Sequence, residues 1–529
     1  MRPNYDLTAK RIRSCWPVIP MLGLAALVFA AYAIILRFPF IQDDWGWISR
    51  FQSNHPDEIL KSIFAIKGTI FFRPLAGLYL YVMYLVFGAH PLPFHLVALI
   101  ILIANSWLVT AIMRVITRDT VVSYGAGFVY AMGAAVHLEC LLWAVGIHDL
   151  GGSFFFLLSM LLFLKERPAW SVAAFCVGCL FKETVLVLPF IVAGYVFIMG
   201  QRLDASSRTK AFNGFVAMVI AFCALVGIKL AGMSPFNLAP SHPYVIKFLG
   251  RHVLSGLFSY MTWMVQCFDP FLAIQGTTIK YVLNDLFLVS LFSVWLAARE
   301  HGEEQRATGA KPLLFLLVWL CFALVPVIFL PNHSYRYYAM YALPAFIGIV
   351  LLQVRLLSDS VRLGRRGGRA LVVCVAAGAV ILSVLQSHKM LHEGRGQRTL
   401  ADGTNGLIRK AASVEIVHDS LMKKLPTLPR DATILLGDAE MGSFDKDSGF
   451  RVWYGDQSIN VYSLNDFVCD ETGAYVLVPI ENEARGIGGA SLKKIYLDPD
   501  KIYVFRLDET GLRPVNLDNM LKRAAPPAR

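Results

Sequence analysis

Two adjacent carboxylates, Asp43 and Asp44, directly follow the first long apolar segment of the chain. Ionisable groups at the edge of a membrane span are costly to keep near hydrocarbon, and they usually line a cavity or a pathway. A carboxylate in that position has a chemical use, because it accepts the proton of a hydroxyl group that attacks an electrophilic carbon. The pair is therefore the first candidate for a general base.

Further ionisable side chains follow at what we predict to be the same ends of later spans. They are Arg73, His137, Glu139, His148, Asp149, Lys182, Glu183, His333, Tyr335 and Arg336. A phosphate that leaves as a stable anion needs cations rather than a general acid, and arginine contacts phosphate oxygens in pairs. One base and a cationic clamp would thus support transfer of a sugar from a phosphate carrier. Glycoside hydrolysis differs, because there two carboxylates flank one bond.

Structural explanations stay open for the same residues. Asp43 or Asp44 would cap a short helix that starts near Trp45, and Arg73 precedes a proline that favours a helix start. Arg336 would anchor a helix end by extending its guanidinium to the lipid headgroups. Under these explanations the residues position the chain and take no part in chemistry.

Two more alternatives concern groups of residues. Lys182 and Glu183 are neighbours that would form a structural ion pair. A metal site is the other alternative, and its ligands would be His137, Glu139, His148 and Asp149. That set mixes nitrogen and oxygen ligands at loose spacing, so the sequence indicates no metal ion.

The elements that must position these residues are predicted to be membrane-spanning helices. The chain has 529 residues, of which 56% are hydrophobic and 16% charged, whereas soluble proteins have about 25% charged residues. A bilayer core needs about 20 apolar residues per helix, and irregular backbone does not cross it in contact with lipid. The net charge of +12 fits basic loops on the cytoplasmic side rather than a nucleic-acid partner.

Length and hydropathy predict an α-helical polytopic fold with about eleven spans and a cytoplasmic N-terminus. The spans are residues 17–38, 93–113, 120–136, 150–164, 169–181, 184–199, 211–231, 280–298, 312–330, 338–354 and 369–386. The stretch 74–88 is too short to count and is predicted to lie at the interface. The stretch 252–273 carries Gln266 and Asp269, and it is predicted to lie at the interface or to re-enter the membrane.

Two domains are predicted: a transmembrane catalytic domain, residues 1–386, and a soluble α/β domain, residues 387–529. The first outer loop, residues 39–92, belongs to the transmembrane domain and carries the interfacial helix. The tail has short alternating strands and a helix, predicted at Thr433–Leu436, Tyr475–Pro479, Ile502–Leu507 and Val414–Lys424. We expect this second domain on the outer face of the membrane.

A series of short motifs runs through the predicted transmembrane domain. They are Asp43-Asp44, Phe72-Arg73-Pro74-Leu75, Gly88…Pro91…Phe94-His95-Leu96, His137-Leu138-Glu139, Phe181-Lys182-Glu183-Thr184…Leu188-Pro189 and Tyr335-Arg336-Tyr337…Leu343-Pro344. In order and spacing the series resembles the GT-C superfamily of membrane glycosyltransferases, which use polyprenyl-phosphate sugars. The similar branches are those of the protein O-mannosyltransferases and the aminoarabinose transferases, and the resemblance covers about residues 17–386.

The resemblance implies a GT-C-like helical core with its active site at the outer face. It implies Asp43 or Asp44 as the acceptor base or as an acceptor-orienting group, and Glu139 as a second acidic position. The cations at the donor phosphate would be Arg336, Lys182 and Arg73. The supporting candidates would be His137, His148, Asp149, Glu183, His333 and Tyr335. Some members of the superfamily require a divalent metal, but no ligand set is assigned here.

Residues and resemblance together predict a multi-pass glycosyltransferase of the bacterial inner membrane, with its C-terminal domain in the periplasm. It would move a sugar from a polyprenyl-phosphate-linked donor to a hydroxyl of a glycan, lipid or protein acceptor. Its partners would be the donor, the acceptor and membrane lipids. Three alternatives stay open: an O-antigen polymerase or ligase, a flippase or transporter of lipid-linked sugars, and a scaffold. A transporter is expected to have paired halves with broken helices at mid-membrane, and no such repeat is evident.

Overall fold

A computed structural model describes ten segments of the chain: residues 18–66, 71–200, 204–232, 242–268, 303–360, 364–396, 406–470, 473–479, 492–508 and 511–516. The span predicted at residues 280–298 lies outside them. So do Lys10, Arg11 and Arg13, the basic residues that precede the first span. The statements that follow concern the described segments.

Helices form most of the described chain. They are α1 (Val18–Tyr32), α2 (Asp43–Ser53), α3 (Pro56–Ile63), α4 (Pro74–Phe87), α5 (Pro91–Thr117), α6 (Thr120–Met132), α7 (Ala134–Leu142), α8 (Ile147–Leu164), α9 (Pro168–Phe181), α10 (Leu188–Met199), α11 (Ala205–Gly232), α12 (Arg251–Val265), α13 (Glu303–Ile328), α14 (Leu343–Ser360), α15 (Gly364–Gly396), α16 (Gly406–Lys424) and α17 (Ser448–Tyr454). Most of the connections between them are short, so consecutive helices pack side by side as the long apolar runs require.

The described helices make the chain a multi-pass membrane protein. Six of them are long and apolar enough to cross a bilayer: Ile19–Arg37, Pro91–Thr117, Ala144–Leu164, Ala205–Leu230, Ala310–Ile328 and Arg366–Leu391. The pair α6 and α7 would make a seventh span, with a bend of 47° between its halves. The helices Pro74–Phe87, Pro168–Phe181, Glu183–Met199 and Leu343–Ser358 are apolar but shorter. These lengths do not confirm the predicted number of eleven spans.

The structure places a further helix, α7, in the stretch between the spans predicted at 120–136 and 150–164. Gly133 has ψ of 60°, outside the helical region, and it interrupts the run of hydrogen bonds. The amides of Val136 and His137 then donate to the Gly133 carbonyl at 2.9 and 3.1 Å and start a new helix. As a result His137 and Glu139 lie on the helix α7, and Asp149 lies in the first turn of α8.

The segment predicted as the first outer loop contains three helices. The helix α4 begins where the sequence predicts a start, with Arg73 as the N-cap residue and Pro74 in the first turn. It has 14 residues, and Val82, Leu85 and Val86 on it are exposed. A helix this short with an exposed apolar face suits an interfacial position, which stays a prediction.

The C-terminal part is a small α/β unit, with strands close to the predicted ones. They are β1 (Thr433–Gly437), β2 (Asn460–Ser463), β3 (Phe467–Asp470), β4 (Gly473–Pro479), β5 (Leu492–Tyr496), β6 (Ile502–Asp508) and β7 (Gly511–Pro514). One sheet has the order β2-β1-β6-β7, in which β1 pairs in parallel with both β2 and β6. The other is an antiparallel sheet with the order β3-β4-β5. The preceding helix α15 continues past the predicted boundary at residue 387, to Gly396.

This α/β unit packs directly against the first outer loop. The rings of Trp45 in α2 and Trp453 in α17 meet edge to face, with centroids 5.5 Å apart. The Gln42 amide donates to the Ser443 carbonyl at 3.0 Å. The C-terminal unit therefore contacts the helix that carries Asp43 and Asp44.

Candidate functional site

The two adjacent carboxylates have different environments, because successive residues in the first turn of α2 point in different directions. Asp44 is 2% exposed. Its Oδ1 accepts a hydrogen bond from the Val145 amide at 2.8 Å, and its Oδ2 accepts bonds from the Ile41 and Ala144 amides at 3.2 Å. Asp44 thus ties the start of α2 to the turn that precedes α8. The structure gives it the contacts of a positioning residue.

The burial of Asp44 predicts a pH-dependent stability. Burial raises its pKa from 3.8 to about 7, although the three amides oppose the shift. Between about pH 4 and about pH 7 the folded protein therefore keeps a proton on Asp44 that the unfolded chain has released. The stability that this proton contributes is lost as the pH rises through that range. We expect the melting temperature of the wild type, measured in detergent, to fall across this range. Asp44→Asn should lack that part of the slope, and equal slopes in the two proteins would contradict the prediction.

Asp43 is exposed and its carboxylate is accessible to a substrate. Its pKa is raised by partial burial and by the nearby Asp445, while Lys410 opposes the shift. The pKa of Tyr335 is raised by partial burial and then by the charges of Glu139 and Asp43. The charges of Asp43 and Glu139 thus both act on Tyr335, although nearly 300 residues separate Asp43 from Tyr335 along the chain.

Arg336 directly follows Tyr335 in the chain and makes no ion pair with a described residue. It is half-buried at the start of the 3₁₀ segment Arg336–Tyr341, and its charge acts on Glu139. Glu139 is half-buried, and its buried Oε2 accepts no hydrogen bond from a described residue. An unfilled acceptor that feels the charge of a nearby cation is a feature expected of a site that binds a polar ligand.

The other two predicted phosphate cations are neutralised by carboxylates. Arg73 makes a two-pronged contact with Glu183, in which its Nε donates at 2.8 Å and its Nη2 donates to the other oxygen. Although burial opposes ionisation, the Arg73 charge holds the pKa of Glu183 well below its usual range. Lys182 Nζ lies 2.8 Å from Asp149 Oδ2, and both side chains are 4% exposed. The ion pair considered between Lys182 and Glu183 is therefore not formed.

A layer of tyrosines connects the ion pairs to Arg336. Lys182 Nζ lies 5.7 and 5.2 Å from the ring centroids of Tyr337 and Tyr338. Tyr337 in turn stacks on Tyr335, with 5.3 Å between their centroids. The close approach of Lys182 to α8 depends on Gly152. A Cβ at position 152 would lie 2.8 Å from the Cβ of Lys182. The Lys182–Asp149 pair thus lies against the tyrosine rings that follow Arg336 in the chain.

His333 lies within range of the charges of both ion-paired cations, Lys182 and Arg73. Burial, followed by the charges of Lys182 and Arg73, lowers its pKa to about 4, so the imidazole is neutral at pH 7. Its buried Nε2 has no hydrogen-bond partner among the described residues. Its ring packs on Tyr244, with centroids 4.2 Å apart. Tyr244 also meets the ring of Phe71 at 4.5 Å, next to Arg73.

His137 and His148 are held by backbone carbonyls. His137 Nε2 lies 2.9 Å from the Tyr130 carbonyl, and His148 Nδ1 lies 2.7 Å from the Val145 carbonyl. Among the residues that the structure describes, no group of three or more histidines, cysteines or carboxylates is placed to hold a metal ion.

The sequence reasoning missed Tyr244, Tyr337 and Tyr338. Tyr337 and Tyr338 belong to the run Tyr335-Arg-Tyr-Tyr-Ala-Met-Tyr341, where four tyrosines surround one arginine, and this unusual composition was an available signal. Tyr244 lies in an irregular segment with no comparable pattern.

Comparison with known proteins finds relatives of the class that the motifs resemble. Protein O-mannosyl-transferase TMTC2 of Homo sapiens is 29% identical over 255 residues, covering 42% of this chain and 30% of the relative. The Mus musculus protein of the same name matches to the same extent. The resemblance to membrane glycosyltransferases is confirmed. The chain spans less than a third of the length of these curated relatives, and no family profile matches it.

Two solved structures show a weaker similarity. ArnT from Cupriavidus metallidurans, bound to undecaprenyl phosphate, gives a TM-score of 0.47 at 13% identity and covers 84% of this chain and 85% of that one. The oligosaccharyltransferase AglB from Archaeoglobus fulgidus, bound to an inhibitory peptide and a dolichol-phosphate, gives 0.46 at 12% identity, covering 83% and 64%. Scores below 0.5 are too low to assign residue roles.

Proposed function

We propose that this chain is a glycosyltransferase that moves a sugar from a polyprenyl-phosphate-linked donor to an acceptor hydroxyl at the outer face of the membrane. The observation that carries the proposal is that the charges of an exposed carboxylate, Asp43, and of Glu139 both act on Tyr335, while the charge of the neighbouring Arg336 acts on Glu139. Base and phosphate-binding cation are the two groups that such a transfer needs. The relatives named as O-mannosyl-transferases support the same reaction class.

In the proposed reaction Asp43 accepts the acceptor's proton while the acceptor oxygen attacks the anomeric carbon of the donor. The bond from that carbon to the phosphate oxygen breaks, and the electron pair leaves with polyprenyl phosphate. Arg336 stabilises the additional negative charge on the phosphate, and the neutral His333 is placed to add a hydrogen bond. A single displacement of this kind inverts the configuration at the anomeric carbon.

The other predicted residues have supporting roles in this proposal. Asp44 positions α2, and Glu139 orients Arg336 and Tyr335. The pairs Arg73–Glu183 and Lys182–Asp149 stabilise the floor of the site and add no net charge to it. We place the site and the C-terminal α/β domain on the outer, periplasmic side of the inner membrane, in keeping with a cytoplasmic N-terminus.

Replacement of Arg336 tests the donor side of the proposal. Hydrogen bonds to charged groups contribute about 1.5–3 kcal/mol, so Arg336→Met should weaken binding of undecaprenyl phosphate by about 10- to 100-fold. The measurement is a titration of the purified protein in nanodiscs with undecaprenyl phosphate, followed by tryptophan fluorescence. Lys61→Met is the matched control, because Lys61 is an exposed cation of the first outer loop, paired with Asp57. Wild-type affinity in Arg336→Met would remove Arg336 from the phosphate site.

A further inference from the structure

The junction between α2 and the C-terminal domain contains a second carboxylate that faces Asp43. Asp445 follows the 3₁₀ segment Met441–Phe444, which lies beyond the carboxyl end of strand β1. Its carboxylate lies against the backbone of Gly46 in α2, where an added Cβ would collide with it. Only a glycine at position 46 therefore allows Asp445 to come this close to the first turn of α2.

The backbone on both sides of this junction is strained. Gln42, Asp445 and Lys446 have φ angles of 52°, 47° and 59°, which are unfavourable for residues with a Cβ. Such conformations cost about 1–3 kcal/mol each and persist where the surroundings impose them, often at functional sites. Here the Gln42–Ser443 hydrogen bond joins the strained segments directly.

The segment that carries Asp445 follows the carboxyl end of a strand that pairs in parallel on both sides. In sheets with parallel strands, ligand sites form outside the carboxyl ends of the strands, where the chain reverses its direction of winding. Strand β1 pairs in parallel with β2 on one side and with β6 on the other, so the reversal lies next to β1. The segment that leaves the carboxyl end of β1 is the one that carries Asp445.

We propose that the C-terminal domain is part of the catalytic unit and supplies Asp445 as a positioning residue that makes Asp43 a stronger base. The inference rests on the proposed function, in which Asp43 takes the acceptor's proton. A neighbouring negative charge disfavours the ionised form of a carboxylate and so increases its affinity for a proton. Asp445 itself does not contact the reacting atoms in this scheme.

The charged groups around Asp43 predict opposite effects for two variants. They are Asp44 on the same helix, Tyr335 at the site, and Asp445 and Lys410 on the C-terminal domain. Lys410 also pairs with Glu440 at 3.4 Å. Removal of the Asp445 charge should lower the proton affinity of Asp43, whereas removal of the Lys410 charge should raise it.

The test is a carboxyl NMR titration of protein labelled with [4-¹³C]aspartate in nanodiscs, with the Asp43 signal assigned by its absence in Asp43→Asn. We expect the titration midpoint of Asp43 to fall by about 1 pH unit in Asp445→Asn and to rise in Lys410→Met. Asp447→Asn is the matched control, because Asp447 lies in the same segment but pairs with Arg451 at 2.6 Å. It should shift the midpoint by less than half as much.

The outcomes separate this inference from the proposed function. If Asp445→Asn leaves the Asp43 midpoint unchanged, or shifts it no more than Asp447→Asn does, the inference is wrong. A shift of the same sign in Asp445→Asn and Lys410→Met would indicate a displaced domain and would also overturn it. The proposed function fails in a different experiment, if Asp43→Asn keeps its transfer activity.

Discussion

Asp43→Asn is expected to lower sugar transfer by about 10²- to 10⁴-fold, the usual contribution of a general base. Asparagine keeps the size and shape of the side chain but accepts no proton from the acceptor hydroxyl. Asp43 is exposed and makes no ion pair with a described residue, so the variant should fold as the wild type does. The measurement is the rate of transfer by purified protein, supported by its melting temperature.

Two controls define what the loss of activity means. Asp57→Asn removes an exposed carboxylate from the same outer loop, where it pairs with Lys61 at 3.1 Å, and it should transfer at the wild-type rate. Asp44→Asn should change stability and its pH dependence, because Asp44 accepts three backbone hydrogen bonds. If Asp43→Asn transfers as fast as Asp57→Asn does, Asp43 is not the base.

Lys182→Met is expected to destabilise the protein by about 3–5 kcal/mol, the cost of leaving a buried charge without its partner. Both side chains of the Lys182–Asp149 pair are 4% exposed, so water does not compensate the remaining carboxylate. The double variant Lys182→Met with Asp149→Asn removes both charges and should recover much of the loss. Melting temperatures of purified protein in one detergent measure the difference.

The exposed pair Lys210–Glu166 is the matched control for this prediction. Its side chains are 52% and 41% exposed and its atoms lie 3.2 Å apart. Exposed pairs contribute about 0–1 kcal/mol, so Lys210→Met should change the melting temperature little. Equal losses in Lys182→Met and Lys210→Met would contradict the structural role of the buried pair. A double variant no more stable than Lys182→Met would also contradict it.

Much of the fold follows from patterns within short stretches of sequence. Apolar runs of sufficient length predicted the six long spans, and alternating apolar residues predicted strands close to β1, β4 and β6. The Arg73-Pro74 pair predicted the start of α4, because proline fits the first turn of a helix. The bend at Gly133 was not predictable, since an isolated glycine in an apolar run is tolerated in many straight helices.

The sequence did not predict how the charged residues at the candidate site pair. Helix-end placement predicts one level for Asp43, Glu139, Tyr335 and Arg336, and their shared site stays a prediction. The partners of Lys182 and Glu183 depend on which helix lies beside each side chain, and adjacent residues at a helix start point in different directions. The same geometry separates Asp43 from Asp44, so only the structure distinguishes an exposed carboxylate from a buried one.

The most direct test of the proposed glycosyl transfer is a glycan profile by mass spectrometry of surface lipids, polysaccharides and proteins. A deletion strain would be complemented with wild type, Asp43→Asn or Asp57→Asn, each at the same protein level. The account predicts that Asp43→Asn reproduces the glycan defect of the deletion strain, while wild type and Asp57→Asn restore the missing sugar. Full restoration by Asp43→Asn, or a deletion strain with unchanged glycans, would contradict it.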